Sequence, residues 1–155
     1  MAPQLPVIRP ATDADGPAIR ALVREAQLNP RDLDWRRFLV ADDGDAVVAC
    51  AQVRVHGGGT RELASVAVRR DRQGEAVGRR ISEAAIAREP VRPLYLYTES
   101  ATAAYWEKFA FTVIDGDAVP RDMRGSLRIA RMLVGLFSLL TRNSYRIFVM
   151  RREES

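Results

Sequence analysis

The chain is poor in reactive side chains. Its 155 residues include one cysteine, Cys50, one histidine, His56, and one lysine, Lys108. A lone cysteine closes no internal disulfide, which fits a reducing, cytoplasmic setting. Cys50 follows the apolar run Val47-Val48-Ala49 and reads as a buried, inert thiol. No apolar stretch reaches the roughly 18–20 residues of a spanning helix. The segment Met1–Pro10 lacks the basic start and apolar run of a secretory signal. No repeat or low-complexity segment appears. Long basic runs are also missing, so charge alone gives nucleic-acid binding little support. No Gly-Lys-Ser/Thr follows a glycine turn, which excludes a Walker-type phosphate loop.

What is present is an ordinary globular composition, 47% hydrophobic and 28% charged, of a length that suits one domain, 1–155. The formal charge of +4 favours an anionic partner, either a phosphorylated cofactor or a nucleic acid. Leu5–Ile8 reads as a short strand. Thr12 with Asp15 three residues on marks the start of a helix running to about Gln27, ended by Asn29-Pro30. A connector, Arg31–Arg37, carries one helical turn around Leu33 and Trp35. Strands follow over Phe38–Ala41, Ala46–His56 and Glu62–Val68. Turns at Asp43-Gly44-Asp45 and Gly57-Gly58-Gly59 separate them, giving an antiparallel meander. In the second strand Val47, Ala49, Ala51, Val53 and Val55 share one face.

The period then changes. Val77, Ile81, Ala84 and Ala85 repeat at helical spacing up to Arg88. Leu94–Thr98 is a strand, Ala101–Phe109 a short helix, Phe111–Ile114 a strand and Tyr145–Met150 the last one. A helix over about 121–140 forms an insertion, 121–141, before that last strand. The order predicts an α/β fold with a mixed sheet and helices packed on its faces.

The segment from Val66 to Ile81 carries the most chemistry. It leaves a strand, crosses a basic glycine-containing loop and enters a helix. Free amides at a helix start, with the helix dipole, hold an anion. Small residues at Gly74, Ala76 and Gly78 allow a pyrophosphate close to the backbone. Arg69, Arg70, Arg72, Arg79 and Arg80 supply positive charge around it. Without a ligand, the same pattern describes a generic strand-turn-helix.

The segment resembles the GNAT N-acetyltransferases, which carry Q/R-x-x-G-x-G/A at this turn. Gln73, Ala76 and Gly78 fill those places, Ala76 standing for the first glycine. That replacement is tolerable where the backbone angle is helical. Glu62–Val68 resembles the family's fourth strand. Ala104-Tyr105-Trp106-Glu107-Lys108-Phe109-Ala110-Phe111 resembles its late motif, F-Y-E-K-L-G-F. A finer likeness, to amino-acid N-acetyltransferases, rests on Asp34–Val40 and Arg61–Ala64.

The resemblance implies a GNAT-like, mostly antiparallel sheet of six to seven strands. It implies acetyl-CoA as donor, without a metal, and direct attack by a primary amine of a small molecule or amino acid in a ternary complex. It places the pyrophosphate on Arg72, Gln73, Gly74, Glu75, Ala76, Val77, Gly78 and Arg79. Val66, Ala67 and Val68 then meet the pantetheine or polarise the carbonyl. Glu62 is the candidate base, since the family often places a carboxylate there; the alternative is an exposed glutamate pairing with Arg61 or Arg54. Trp106 occupies the family's tyrosine place and cannot donate a proton, leaving Tyr105 and Tyr97 as candidate acids, or as packing aromatics with wet hydroxyls. His56, beside three glycines, reads as a surface histidine.

Two other functions stay open. One is a non-catalytic CoA-binding regulatory domain, motivated by Trp106. The other is acetylation of a macromolecular amine, motivated by the basic charge. The segment Ser126–Leu140, apolar almost all round from Met132, has three readings: it covers the acceptor pocket, packs against a second subunit in a homodimer, or touches a membrane surface.

Overall fold

The computed structural model of the chain describes residues 4–154. Seven strands form one mixed, mostly antiparallel sheet with the hydrogen-bonded order β1-β2-β3-β4-β5-β7-β6, and four α-helices accompany it. The α/β class and the strand number are those expected from the sequence. The chain divides into two compact units, residues 1–54 with 63–90, and residues 55–62 with 91–155.

In the first unit, β1 (Val7–Pro10) begins two residues later than Leu5. It pairs antiparallel with β2 (Phe38–Asp42), from Val7 opposite Asp42 to Pro10 opposite Leu39. Proline has no amide to give a ladder, and the edge of the sheet tolerates it. The expected capping box forms: Asp15 Oδ2 accepts from the Thr12 amide at 2.7 Å and from its hydroxyl at 3.2 Å. The turn behind it is a 3-10 turn, Asp13–Asp15, and α1 runs Gly16–Glu25. Ile19, Leu22 and Val23 bury one face of α1 among Phe38, Val40, Cys50 and Ala67. Arg9 joins the start of this unit, donating to Asp15 Oδ2 at 2.8 Å and to Asp42 Oδ2 at 2.8 Å.

Strand β3 (Val47–Val55) pairs antiparallel with β2. One-face burial was expected along it, yet Val48 to Gln52 are buried without a break. Both faces are covered, so the alternation marks no solvent side. Strand β4 (Arg61–Val68) follows, and α2 (Val77–Arg88) buries Val77, Ile81, Ser82, Ala85 and Ile86.

The second unit holds the 55–62 turn and the later elements. The first two residues of β4 pair parallel with β5 (Leu94–Glu99), Arg61 opposite Leu94 and Glu62 opposite Tyr95. Strand β7 (Ile147–Arg152) lies antiparallel to both β5 and β6 (Thr112–Ile114). Helix α3 shrinks to Ala103–Glu107 behind a 3-10 turn. It ends with Phe111 N–H on Trp106 O at 3.3 Å and Ala110 N–H on Glu107 O at 3.0 Å. That double closure needs a left-handed residue, and Ala110 supplies it at φ +61°.

Helix α4 runs Arg121–Thr141, where a helix was expected. Met123 and Leu127 enter a core with Val119 and Val149. Its far half carries the exposed apolar run read from the sequence, with Leu139 also 80% exposed. Ile129, Met132, Leu133, Leu136, Phe137 and Leu140 follow helical spacing in one stripe, and each is more than half exposed.

Candidate functional site

Strand β4 and the turn after it carry most of the residues singled out in the sequence. Gln73 to Ala76 form an exposed turn between a 3-10 turn, Arg70–Arg72, and α2. Gly74 holds φ +83°, and a Cβ there would meet nothing within 4 Å, so its glycine serves the angle and not the space. Ala76, at the N-cap of α2, holds φ +60° and ψ +7°. This corrects the expected helical angle. The position is left-handed, which explains why the resembling motif has glycine there. Alanine offers no capping oxygen, and α2 starts without a side-chain cap. Its first-turn amides are therefore without a side-chain cap, the condition in which a helix start can hold an anion.

Three of the arginines around this turn, Arg69, Arg72 and Arg79, are held by ion pairs. Arg72 reaches Asp43 at 2.6 Å and Glu75 at 2.7 Å. Arg69 pairs with Asp71, Arg79 with Glu83 at 2.9 Å, and Arg80 donates to Pro6 O at 2.8 Å. Gln73 folds back, its Nε2 donating to Val68 O at 3.1 Å. The positive field at the turn is thus partly offset by neighbouring carboxylates, and the main-chain amides of Gly74 to Gly78 stand as its principal donors.

Upstream in β4, Ser65 adopts φ +54°. A left-handed residue inside a strand breaks the pleat and re-aims the amides beside it, here those leading into Val66, Ala67 and Val68. The angle is braced from β3: Gln52 Nε2 donates to Ser65 Oγ at 2.9 Å, and Cys50 Sγ lies 3.4 Å from Ser65 O. Cys50 is fully buried, and burial pushes its thiol up to about 12 despite the opposing Ala67 amide. It is inert, as read from the sequence.

At the head of β4, Glu62 is buried, not the exposed glutamate of the alternative reading. Its Oε2 lies 2.7 Å from His56 Nε2, with the side chains 6% and 15% exposed. His56 is therefore not a surface histidine. The Gly57-Gly58-Gly59 turn folds its ring back onto β4, six residues along the chain. In the tautomer with a proton on Nε2, the imidazole donates to the Glu62 carboxylate and orients it.

The turn is closed from the other side by Asp122, in the first turn of α4. Its oxygens accept from Gly58 N at 2.9 Å, Thr60 N at 3.3 Å and Thr60 Oγ1 at 2.7 Å. Burial works to raise the Asp122 pKa, but these hydrogen bonds and the nearby His56 outweigh it, and the pKa is lowered.

The two candidate acids are placed differently. The Tyr97 hydroxyl donates to Met123 O at 2.8 Å, so it braces α4 and is not a wet hydroxyl. Tyr105 packs edge-on to Trp106 and Phe109, with centroids at 4.9 and 5.2 Å. Trp106 also meets the buried Phe111 at 6.1 Å. Its place is filled by packing, not proton transfer.

A cavity of about 710 Å³ lies within the second unit. Its wall is made by the 58–61 turn, by Val91 to Pro93 with Tyr95, and by Asp117 to Arg121 with Arg124. The sequence reading missed it. Its α4 residues are Arg121 and Arg124. Among the described residues, no group of three or more His, Cys, Asp or Glu could hold a metal ion, and no helix is long and apolar enough to cross a membrane.

Comparison with solved structures returns the same fold. Rv2747 from Mycobacterium tuberculosis, solved in complex with CoA, superposes with a TM-score of 0.70 at 24% identity, covering 97% of this chain and 100% of that one. N-acetylglutamate synthase from Neisseria gonorrhoeae, complexed with coenzyme A and L-arginine, gives 0.74 at 19% identity over 96% of this chain; the match spans 33% of the synthase chain. The ribosomal-protein-S18-alanine N-acetyltransferase from Escherichia coli gives 0.63 at 17% identity, covering 96% of this chain and 94% of that one. No curated protein sequence matches. The family profile described as acetyltransferase (GNAT) domain matches residues 34–113, more than half of the 155 residues. The chain belongs to the GNAT acetyltransferase family, whose members move the acetyl group of acetyl-CoA onto an amine.

Proposed function

We propose that this protein, as a single acetyltransferase domain, acetylates a primary amine of a small molecule or amino acid by direct attack in a ternary complex. One observation carries the reading. A buried carboxylate, Glu62, is held by His56 at the head of the strand whose other end feeds the 73–78 turn. The pyrophosphate of acetyl-CoA lies on the amides of that turn, and the amides of Val66 to Val68 meet the pantetheine arm or the thioester oxygen.

The acceptor arrives as an ammonium ion and loses a proton to Glu62. The neutral nitrogen attacks the thioester carbon, and the oxygen takes the charge. The C–S bond then breaks, CoA departs as a thiolate, and the second amine proton leaves through water. A thiolate needs no strong acid to depart, so Trp106 in the tyrosine place does not block the reaction.

The exposed stripe of α4 suits a second copy of this chain, because an apolar, self-complementary face closes a two-fold dimer.

The test is release of CoA from acetyl-CoA against a panel of amines at two salt concentrations. Glu62→Gln lowers kcat by about 10²–10⁴-fold with acetyl-CoA affinity unchanged, and Gly78→Trp abolishes that affinity. Acetyl-CoA binding without CoA release for any amine would instead mark a non-catalytic CoA-binding domain. Steep loss of acceptor binding with salt would mark a macromolecular acceptor.

A further inference from the structure

The cavity of about 710 Å³ is lined by four arginines, Arg61, Arg92, Arg121 and Arg124, against one carboxylate, Asp117. Two arginines of the first unit are held differently. Arg9 bonds Asp15 and Asp42, and Arg72 bonds Asp43 and Glu75, each guanidinium facing two carboxylates. Around the cavity, main-chain carbonyls do much of the positioning. Arg124 Nε donates to Val119 O at 3.0 Å and its Nη2 to Asp117 O at 3.2 Å, while the Asp117 carboxylate stands off at 3.6 Å and fully exposed. Arg92 Nε donates to Glu154 O at 2.8 Å. A neutral carbonyl fixes a guanidinium without cancelling its charge. Arg121 opens α4 and stands exposed at the rim, where the helix N-terminus adds positive potential.

Two of the lining residues are neighbours of the base, along the chain and across the ladder. Arg61 directly precedes Glu62, one strand residue or roughly 3.3 Å away along the backbone. Tyr95 lines the cavity and is the register partner of Glu62. An anionic group seated among the arginines would place a neighbouring nitrogen of the same molecule within reach of the Glu62 carboxylate.

We infer that this cavity is the acceptor subsite and that the acceptor is an amine carrying its own anionic group, gripped by Arg121 and Arg124 within the wider arginine lining. The inference rests on the acetyl-transfer reading for its role and on the cavity alone for its binding. Two anion sources share the chemistry, a carboxylate and a phosphate ester, and bidentate guanidinium contacts serve both.

Calorimetric titration of the full chain with succinate, and separately with inorganic phosphate, tests the binding without needing turnover. At least one of these binds, and Arg121→Gln/Arg124→Gln weakens it by about tenfold or more while acetyl-CoA affinity, measured on the same sample, reports intact folding. Tighter succinate binding identifies a carboxylate acceptor, and tighter phosphate binding a phosphorylated one. If neither anion binds, or the double variant binds both as well as the original chain, the inference is overturned. Failure of the acetyl-transfer reading looks different: anions still bind, yet no amine releases CoA.

Discussion

Two alanines in this chain occupy glycine places of the resembling motifs, and both are left-handed: Ala76 at φ +60° and Ala110 at φ +61°. An L-residue in that region costs about 1–2 kcal/mol relative to its preferred angles. Replacing it by glycine removes that cost but adds roughly 0.4–1 kcal/mol of unfolded-chain entropy. The expected net gain is about 0.5–1 kcal/mol for Ala76→Gly and the same for Ala110→Gly. Unfolding entropy of about 2.1 cal/mol/K per residue over 155 residues gives roughly 0.33 kcal/mol/K. Each substitution then raises Tm by about 1.5–3 °C, and the double variant by about 3–6 °C, because each turn is closed by its own local bonds. Gly74→Ala is the inverse control. Its φ is +83° and its Cβ would meet nothing within 4 Å, so it loses about 1 kcal/mol through the backbone alone. Thermal and urea unfolding of the four proteins measures all of this. A fall in Tm for both Ala→Gly variants, or a Gly74→Ala variant as stable as the original chain, would refute the reasoning.

Asp15 has its carboxyl held at about 2, below the ordinary 3.8, first by the Arg9 hydrogen bond and then, against burial, by the Thr12 amide. A depressed carboxylate stabilises the fold above its ordinary pKa and loses that contribution as pH falls towards 2. Asp15→Asn therefore costs about 2 kcal/mol at pH 7, and urea unfolding shows the difference shrinking below pH 4. Cys50, with its thiol pushed up to about 12, stays silent to an aromatic disulfide reagent at pH 8 and titrates as one thiol in denaturant; a native-state reaction would contradict its burial. Tyr97→Phe breaks the bond to Met123 O and costs about 1 kcal/mol, with the acetylation rate within about twofold of the original. A hundredfold loss of rate would return Tyr97 to the role of acid.

Elements with local signals were legible in the sequence. The 77–88 helix, the 121–141 helix and the Thr12/Asp15 capping box rest on period and short-range hydrogen bonding, and all three form. What escaped depends on partners distant in the chain or on angles without a compositional mark. Nothing in Glu-Leu-Ala-Ser-Val-Ala-Val announces a left-handed Ser65, because the brace comes from Gln52 and Cys50 on another strand. The glycine triplet announced a turn but not that it would fold His56 onto Glu62. The four cavity arginines stand at 61, 92, 121 and 124, too scattered to read as a set.

Gly58 sits where the β3–β4 turn meets α4, and a Cβ there would stand 2.8 Å from Asp122 Oδ2. Any larger residue must push that carboxylate off the Gly58 and Thr60 amides, loosening the start of α4. The constraint falls on the tip of the turn and not on the wall residues contributed by other segments, such as Arg92 and Arg124. The tip of the turn must keep its hydrogen, whatever side chains stand elsewhere on the wall.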